Sequence, residues 1–426
     1  MKVLILGSGG REHALAWAVK RSERVTEVVC APGNGGIAQV ARCVPVDLKD
    51  VAAMVRLAEV EQPSLTIVGP EVPLSLGVVD AYRERGYRIF GPTGDAARLE
   101  SSKAFAKQFM KRHQIPTANY AVCTSSKEVE EAIKRFHPPV VVKADGLAAG
   151  KGVIICPTRQ FAIDAAHGLF SGELLGVAEK QVVIEEFLEG EEVSFLCLSD
   201  GRHVVPLVPA QDHKRIGEGD TGPNTGGMGV YSTSEMLEPS MTEWILHHIA
   251  EPTVRGMAEE GMPFVGVVYC GLMMTARGPQ LLEYNARFGD PETQAILMRL
   301  ESDLVDALEA CIDGRLAETE MRWSGGAAAC VVASSSGYPG SYKTGLPISG
   351  LSSASKTPGV EIFHSGTSRV GSQLVTSGGR VFGITASGDS LEEALARAYE
   401  ALAQIHFEGM YYRRDIGHRA LKQPHR

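Results

Sequence analysis

The first hundred residues alternate between short apolar runs and longer segments with apolar positions at helical spacing. The runs KVLILG, VTEVVCAPG, SLTIVGP and YRIFGPT predict four buried strands, and the segments REHALAWAVKRS and LSLGVVDAYRERG predict helices. Strands that are apolar throughout are typical of a parallel sheet covered by helices on both faces. We therefore predict an α/β fold whose N-terminal domain, residues 1–102, holds a doubly wound parallel sheet.

The pattern after the helix SKAFAKQFMKRHQIP predicts two further domains. The helices SKEVEEAIKRF and RQFAIDAAHGLF flank a glycine-rich hairpin and predict a smaller flap subdomain at about residues 118–188. The strands EVSFLCLSD, FVGVVYCGLMM and QLLEYNARF extend this central domain, which we place at residues 103–320. The strands VEIFHSG, QLVTSG and RVFGITASG, with one helix, predict a C-terminal α+β domain at residues 321–426.

A polar stretch, GEGDTGPNTGGMG at residues 217–229, interrupts the central domain. It is too rich in glycine and small polar residues for regular structure, and a long polar loop in a compact domain is often functional. The charged residues QDHKR lead into it. A charge reversal beside a glycine loop suits a lid that closes over phosphates, and a solvated turn is the alternative.

The glycine-rich hairpin KADGLAAGKG, residues 143–152, resembles a phosphate-binding P-loop but has the wrong spacing. A P-loop has four residues between its glycines and Ser or Thr after its lysine. Here three residues separate Gly146 from Gly150, and Gly152 follows Lys151. The β-branched run VIIC that follows predicts a strand. We therefore expect a hairpin loop that covers the phosphates of a nucleotide.

The segment GSGGREHAL, residues 7–15, follows a strand and opens a helix, which makes it a candidate anion site. Glu12 stands where a dinucleotide fingerprint needs its third glycine, so we predict a single phosphate rather than NAD. A tight turn without a ligand is the alternative. PGNGG at 32–36 and GPEVPL at 69–74 end two other strands of the same sheet, where ligands bind in such folds.

The segment LLEYNARFGDPETQ, residues 281–294, predicts a metal site. Side chains alternate along a strand, so Glu283 and Asn285 share one face and Tyr284 lies on the other. A carboxylate and an amide oxygen suit Mg²⁺, which completes its octahedron with phosphate oxygens and water. Arg287 continues the same face and can pair with a phosphate or a carboxylate. A surface strand with polar alternation is the alternative.

The composition indicates which partners and which cell compartment to expect. The formal net charge of −9 argues against nucleic acid, which calls for a basic balance. The 8 cysteines form no CxxC pair, so we expect reduced thiols in a cytoplasmic protein. The apolar N-terminal run is too short for a signal peptide, and no run approaches the roughly 20 apolar residues that span a membrane.

Taken together, these motifs resemble the ATP-grasp enzymes and, within them, the phosphoribosylamine–glycine ligase family. The similarity runs from end to end, and RFGDPETQ with GPNTGGMG is its most specific part; YPGSYKTG and RRDIGHRAL extend it to the C-terminus. The resemblance implies a ligase of purine biosynthesis that joins glycine to 5-phosphoribosylamine through glycyl phosphate and splits ATP. The sequence leaves two alternatives for the amine substrate: a transient contact with the enzyme that makes phosphoribosylamine, or a protein that works alone.

The resemblance implies roles for individual residues. The implied contacts to ATP are Lys103, Lys143, Gly146, Gly150, Gly152, Glu185, Glu186, Phe187, Leu188 and Glu192, with Glu185 to Leu188 as an adenine-reading hinge. The implied substrate contacts are Gly9, Gly10, Arg11, Pro32, Gly33, Asn34, Glu71, Asn224, Thr225, Gly289 and Asp290. Asp212, Lys214 and Arg287 are the implied catalytic residues, and Glu283 and Asn285 hold Mg²⁺, or alternatively Mn²⁺.

One feature departs from many ATP-grasp enzymes, which carry a further acidic metal ligand on the strand before the Glu-x-Asn strand. Here that strand reads GVVYCGLMMTA and has no acid, so we expect ATP phosphates to supply the remaining metal oxygens. Two rival functions are another ATP-grasp acid–amine ligase and a nucleotide-binding protein without catalysis. The phosphate site of the N-terminal sheet argues against the first, and the intact Glu283, Asn285 and Arg287 argue against the second.

Overall fold

The computed structural model describes residues 1–148 and 152–421. Within these residues no helix is both long and apolar enough to cross a membrane. The predicted positions Gly150 and Lys151 lie outside the described residues.

The N-terminal domain is the predicted parallel sheet. The chain up to Arg112 forms β1 (Lys2–Gly7), α1 (Gly10–Lys20), β2 (Glu27–Pro32), β3 (Arg42–Cys43), α2 (Val51–Glu61), β4 (Leu65–Val68), α3 (Glu71–Ser75), α4 (Val78–Arg83), β5 (Ile89–Phe90), α5 (Arg98–Ser101) and α6 (Lys103–Arg112). The strand order is β3-β2-β1-β4-β5, and every pair is parallel. The carboxyl ends of β1, β2 and β4 therefore meet at one edge, as expected.

Two helices of this domain differ from the sequence prediction. The stretch LSLGVVDAYRERG was predicted as one helix, but Gly77 has φ +80° and separates α3 from α4. A positive φ is incompatible with a continuing right-handed helix, so the chain turns there. Helix α2, to which no pattern was assigned, begins at Val51 and is capped by Asp50, whose side chain accepts a hydrogen bond from Ala53 N.

The smaller subdomain contains the glycine hairpin. Its elements are β6 (Tyr120–Cys123), α7 (Ser126–Ala132), β7 (Val140–Ala144), β8 (Val153–Cys156), α8 (Arg159–Ser171) and β9 (Val182–Glu186). The sheet order is β6-β9-β7-β8 with antiparallel neighbours. Strands β7 and β8 pair directly, with Lys143 opposite Val153, so the glycine stretch connects two strands as predicted.

The remainder of the central domain surrounds a second antiparallel sheet, of order β11-β10-β16-β17. Its elements are β10 (Glu191–Asp200), β11 (Val204–Pro206), β12 (Gln211–Asp212), β13 (Arg215–Gly217), β14 (Thr221–Asn224), β15 (Gly229–Thr233), α9 (Pro239–Ile245), α10 (Glu251–Glu259), β16 (Val265–Thr275), β17 (Gly278–Asn285), α11 (Glu292–Met298) and α12 (Leu304–Asp313).

The prediction that residues 217–229 lack regular structure is wrong in part. Strands β13 and β14 form a hairpin with Arg215 opposite Asn224. Gly219 and Asp220 take φ of +64° and +57° between the two strands. Glycine and aspartate tolerate this left-handed backbone better than other residues, so the polar composition that suggested a loop instead builds a tight turn.

The C-terminal segment forms β18 (Ala327–Ser334), α13 (Leu351–Ala354), β19 (Val360–His364), β20 (Thr367–Val370), β21 (Gln373–Thr376), β22 (Arg380–Gly388), α14 (Leu391–Leu402) and α15 (His418–Leu421). Its main sheet has the order β12-β15-β18-β22-β19, so two strands of the predicted central domain pair into it. The boundary at residue 320 stays a prediction. This shared sheet joins the chain around Asp212 to the C-terminal domain.

Candidate active site

Strand β17 presents the predicted metal ligands. Glu283 and Asn285 are half-buried on one face, while Tyr284 is buried on the other and its hydroxyl lies 2.6 Å from Thr253 Oγ1. Burial favours the neutral form of Glu283, but the positive charges of Lys214, Lys143, Lys103 and Arg287 outweigh it and lower the pKa of this carboxyl. Glu283 is therefore an anion within a group of four cations.

Arg287 links this strand to the N-terminal domain. Its Nη2 donates to Asn285 Oδ1 at 3.0 Å and lies 3.0 Å from Glu100 Oε1. Its Nε lies 3.5 Å from Glu71 Oε2 and has no hydrogen-bond partner among the described residues. Burial opposes the charge of Arg287, but Glu100 and Glu71 raise the pKa of the guanidinium above its ordinary value. Glu71, which follows β4 and begins α3, thus lies close to the arginine that follows strand β17.

Two lysines share one buried carboxylate below the glycine hairpin. Lys143 Nζ lies 3.0 Å and Lys107 Nζ 3.1 Å from Glu185 Oε2, and each of the three side chains is at most 6% exposed. Glu185 Oε1 has no hydrogen-bond partner in the described part of the chain. Burial lowers the pKa of Lys107 to about 8, with Glu185 opposing the shift. The nearby Lys103 donates from Nζ to the carbonyl of Gly146 at 3.2 Å.

The predicted hinge connects the two antiparallel sheets. Strand β9 ends at Glu186 and β10 begins at Glu191, so Phe187 and Leu188 lie in the link between them. Glu186 accepts hydrogen bonds from Asn119 N at 3.1 Å and from Arg277 Nη2 at 3.0 Å, away from the buried lysines. The side chains of neighbouring Glu185 and Glu186 therefore have different environments, one buried and one at the surface.

Asp212 and Lys214 lie at the end of β12. Lys214 Nζ donates to Glu192 Oε2 at 2.6 Å, and the Lys214 side chain is 32% exposed. Burial raises the pKa of Asp212 to about 7, with Glu292 and Glu192 adding to the shift and Lys214 opposing it. The buried Glu292 accepts a hydrogen bond from Tyr269 Oη at 2.6 Å. A carboxyl with a pKa near 7 is suited to proton transfer at neutral pH.

The N-terminal strand ends are more fully occupied by the protein than the sequence suggests. The backbone N–H of Gly9 donates to Glu12 Oε2, and Arg11 Nε donates to Glu12 Oε1. Glu12 therefore occupies part of the positive end of α1 in place of an external anion. Gly33 N donates to Gly7 O at 3.0 Å, beside Pro32. Gly10 faces the side chains of Gln294 and Ser365.

Asn34 connects this edge to the C-terminal domain. Its amide nitrogen donates to Ser8 O at 2.8 Å and to His364 O at 2.7 Å. Its amide oxygen accepts from Gly36 N and Ile37 N, each at 2.9 Å. These four bonds use the full hydrogen-bonding capacity of the side chain. The predicted substrate contact of Asn34 stays a prediction. Because the side chain is fully bonded within the protein, we expect a substrate to contact the backbone of Asn34.

The remaining predicted substrate residues surround Asp290. Asp290 Oδ1 accepts from Gln294 Nε2 at 2.8 Å, and Oδ2 lies 3.3 Å from Arg380 Nη2. Burial opposes ionisation of Asp290, but Arg380 and Arg11 lower its pKa. The buried Gly289 precedes it, and Thr225, which follows Asn224, bonds through Oγ1 to the carbonyl of Lys214 at 2.8 Å. Arg380 also donates to the carbonyl of Gly226 at 2.7 Å.

Two glycines of the glycine hairpin, Gly146 and Gly152, lie within the described residues. Among the described residues, an ideal Cβ at Gly146 would contact the Glu179 carboxylate alone, at 3.7 Å and 3.9 Å. At Gly152 the same atom would lie 2.7 Å from Ala148 Cβ, which makes glycine necessary for the close approach of the two arms. The predicted ATP contact of Gly150 lies outside the described residues.

Several site residues were missed by the sequence analysis. Lys107 lies one helical turn after Lys103, and this i, i+4 spacing in SKAFAK was a usable signal. Glu292 and Gln294 lie inside the quoted motif RFGDPETQ but received no role. Glu100 and Arg380 had no local signal, because their partners Arg287 and Asp290 are distant in the chain.

Comparison with known proteins bears on the class of this site. Three segments match one family, phosphoribosylglycinamide synthetase: its N domain at residues 1–100, its ATP-grasp (A) domain at 101–293 and its C domain at 328–419. The sequence is 50% identical over 424 residues to the phosphoribosylamine–glycine ligase of Vibrio cholerae, covering 99% of each chain. It is 49% identical to that of Xanthomonas axonopodis over 99% of this chain and 98% of the relative.

Solved structures agree. The crystal structure of phosphoribosylamine–glycine ligase from Thermotoga maritima superposes with a TM-score of 0.86 at 37% identity, covering 97% of this chain and 100% of that one. The biotin carboxylase domain of 2-oxoglutarate carboxylase from Hydrogenobacter thermophilus shares the fold, with a TM-score of 0.74 at 17% identity over 96% of this chain and 91% of that one. The fold and the cation-rich site define an ATP-grasp enzyme. The chain belongs to the phosphoribosylglycinamide synthetase family, as its motifs indicated.

Proposed function

We propose that this chain joins glycine to 5-phosphoribosylamine and splits ATP to ADP and phosphate, a step of purine biosynthesis. The observation that carries the proposal is the group of four cations around Glu283. Phosphoryl transfer depends on positioning and on stabilising negative charge rather than on a protein nucleophile. The full-length similarity to phosphoribosylamine–glycine ligases supports glycine as the acid and the phosphosugar amine as the acceptor.

The reaction has two steps. A carboxylate oxygen of glycine attacks the γ-phosphorus of ATP, ADP leaves, and glycyl phosphate forms. The amine nitrogen then attacks the acyl carbon, phosphate leaves, and the nitrogen loses a proton. Lys103, Lys143 and Arg287 stabilise the transferring phosphoryl group by their charge. Asp212 accepts the proton, since its raised pKa places it near neutrality, and Lys214 neutralises the acyl phosphate.

ATP binds between the two antiparallel sheets in this proposal. The hinge at Glu185–Leu188 receives the adenine, and we assign the amino hydrogen of the adenine to Glu185 Oε1, which has no hydrogen-bond partner among the described residues. Glu192 contacts the ribose hydroxyls. The hairpin glycines Gly146, Gly150 and Gly152 cover the phosphates, because a backbone without side chains allows close approach.

The amine substrate binds at the carboxyl edge of the N-terminal sheet. Backbone groups of Gly10, Arg11 and the turn at residues 32–34 receive its phosphate, with Gly9 at the start of the same helix. We assign Glu71 and Asp290 to the ribose and the amine, because Arg287 lowers the pKa of Glu71 and Arg380 that of Asp290, so both carboxylates are charged acceptors. We assign Asn224, Thr225 and Gly289 to glycine: Thr225 donates from Oγ1 to the Lys214 carbonyl, and Gly289 directly precedes Asp290.

A divalent metal fits Glu283 and Asn285. The two oxygens share one face of β17, and Glu283 is ionised. No group of three or more His, Cys, Asp or Glu side chains that could hold a metal occurs in residues 1–148 and 152–421. Mg²⁺ binds in this way, through one or two protein oxygens plus phosphates, and Mn²⁺ is the alternative. When bound, the metal neutralises charge on the transferring phosphates.

The domains divide at residues 102 and 320, with the flap subdomain at about 118–188. The protein works in the cytoplasm, where ATP and glycine are available. It makes a transient contact with the enzyme that supplies phosphoribosylamine, because that substrate is unstable in solution.

The test is phosphate release from Mg-ATP and glycine, measured with and without freshly generated phosphoribosylamine. Release that requires both substrates supports the proposed ligase. Release with glycine alone indicates hydrolysis of the acyl phosphate and a different acceptor. No release under either condition, with ATP still bound, indicates a different acid–amine pair or a protein that only binds nucleotides.

A further inference from the structure

The hairpin formed by β13 and β14, here called the β13–β14 hairpin (residues 215–224), lies between the proposed catalytic and substrate residues. It follows Lys214 directly and leads into Thr225, whose N–H donates to the carbonyl of Lys214 at 2.7 Å. In the described part of the chain its two strands pair only with each other. An isolated two-stranded hairpin is marginally stable in water, so other contacts must hold it in place.

Those contacts come from the motif RRDIGHRAL, which the proposed function leaves without a role. Tyr411, just before the motif, donates from Oη to the carbonyl of Ile216 at 2.9 Å. Arg413 donates from Nη1 to the carbonyl of Arg215 at 3.0 Å and to Asp220 Oδ1 at 2.9 Å. The C-terminal segment therefore contacts both strand β13 and the turn of the hairpin.

Arg413 is the centre of this contact. Its side chain is 0% exposed, and its Nε and Nη2 donate to the two oxygens of Asp415, each at 2.8 Å. Burial favours the neutral form of Asp415, but these bonds outweigh it and lower the pKa of Asp415 to about 2. Asp415 Oδ2 also accepts from Gly219 N at 2.8 Å. The planar guanidinium thus joins Asp415, Asp220 and the hairpin backbone in one fixed geometry.

The same segment also contacts the residue between Asp212 and Lys214. Gly417 N donates to Nε2 of His213 at 3.2 Å. His213 is fully buried, and burial lowers its pKa to about 3, so its ring stays neutral and Nε2 stays an acceptor. Its backbone bonds to Gly229 O and accepts from Met228 N, each at 2.8 Å. The C-terminal segment is therefore bonded on both sides of Lys214, to His213 and to the hairpin.

We propose that Arg413 is a positioning residue: by joining Asp220 and Asp415 it sets the hairpin and thereby the placement of Asp212 and Lys214 in the active site. This inference rests on the proposed catalytic role of Asp212 and Lys214. Within the described residues, the Arg413 side chain bonds to Asp415, to Asp220 and to the carbonyl of Arg215, and none of these is a proposed ATP residue. A change at Arg413 therefore alters turnover and leaves nucleotide binding intact.

Two variants test the proposal. Arg413→Lys keeps the charge, but one ammonium cannot reproduce the paired bonds to Asp415 together with those to the hairpin. Asp220→Asn removes the ion pair and keeps the left-handed backbone at this position, which asparagine tolerates. The control is Arg414→Lys, because Arg414 is the exposed neighbour of Arg413. We expect kcat to fall roughly 10- to 100-fold in both test variants, with KM for ATP and the thermal shift caused by MgADP unchanged.

A double-variant cycle separates positioning from general damage. If Arg413 acts through Asp212 and Lys214, Arg413→Lys lowers kcat by less than about 2-fold in a background where both are replaced, Asp212→Asn with Lys214→Met. The proposal would be overturned if Arg413→Lys lowered kcat in that background by the same factor as in the parent protein. Loss of the MgADP thermal shift in both test variants would also overturn it. Normal kcat in Arg413→Lys and Asp220→Asn, with Asp212→Asn impaired, would overturn it while leaving the proposed function intact. Normal kcat in Asp212→Asn would instead refute the catalytic role on which the inference rests.

Discussion

The shared carboxylate of Glu185 leads to a prediction about stability. Lys107 and Lys143 both pair with its Oε2 atom, and the three side chains are 2% to 6% exposed. Glu185→Gln keeps the shape of the side chain and removes its charge, so the buried ammonium groups of Lys107 and Lys143 lose the carboxylate with which both form an ion pair. Breaking a buried ion pair in this way costs about 3–5 kcal/mol, because the remaining charge is desolvated and unpaired.

Glu186→Gln is the matched control for this measurement. The adjacent Glu186 pairs with Arg277, whose side chain is 61% exposed, at 3.0 Å. A surface pair of this kind contributes at most about 1 kcal/mol. The assay is urea unfolding of both variants and the parent protein at pH 7, with the slopes compared to confirm that the same unit unfolds. Equal free energies of unfolding for the two variants would refute the reasoning.

The pH dependence gives a second check on the same site. Burial lowers the pKa of Lys107 from its ordinary 10.5 to about 8, so the unfolded chain binds this proton more tightly. The contribution of Lys107 to the free energy of unfolding therefore rises as the pH increases from about 8 to 10.5. The total rise is about 3 kcal/mol, at about 1.4 kcal/mol per pKa unit. Without Glu185 the pKa of Lys107 falls further. Raising the pH from 7 to 9 should then reduce the difference in free energy of unfolding between Glu185→Gln and the parent protein. An unchanged difference would contradict the ion pair of Lys107 with Glu185.

Three other predictions concern catalysis and packing. Glu283→Gln should abolish metal-dependent phosphate release with little change in melting temperature; a sharp fall in melting temperature with normal activity per folded molecule would contradict the metal role. The rate should rise with pH through about 7, because the carboxylate of Asp212 is the active base, and Asp212→Asn should remove this limb from the pH–rate profile. Gly36→Ala places a Cβ 2.2 Å from the His364 ring and should destabilise the protein by about 1–3 kcal/mol, whereas the Cβ of Gly325→Ala meets no described residue within 4 Å and should leave stability unchanged.

The local features of the fold could be read from the sequence because neighbours along the chain decide them. Apolar runs such as Val3–Leu6 are buried on both faces in a parallel sheet, and the alternation at Glu283, Tyr284 and Asn285 places side chains on opposite faces. The break at Gly77 and the turn at Asp220 were missed. At Gly77 the composition also allows a continuous helix, and at Asp220 it also allows an irregular loop, so a positive φ could not be predicted at either position.

Only the tertiary structure decided which charges meet. Lys107 and Glu185 lie on different elements, as do Arg287 and Glu100, and Arg380 and Asp290 are 90 residues apart. The full use of Asn34 by backbone groups and the pairing of Glu12 with Gly9 also depend on how the strand ends come together.

The sequence by itself determined most of the elements, the chemical classes of the predicted site residues and the family, but not the break at Gly77, helix α2 or the β13–β14 hairpin. The tertiary structure decided the partners of each charge, and therefore the ionisation of Lys107 and Asp212. The physical reason is that secondary structure follows from local backbone and side-chain preferences, whereas a pKa depends on burial and on charges brought close from distant parts of the chain.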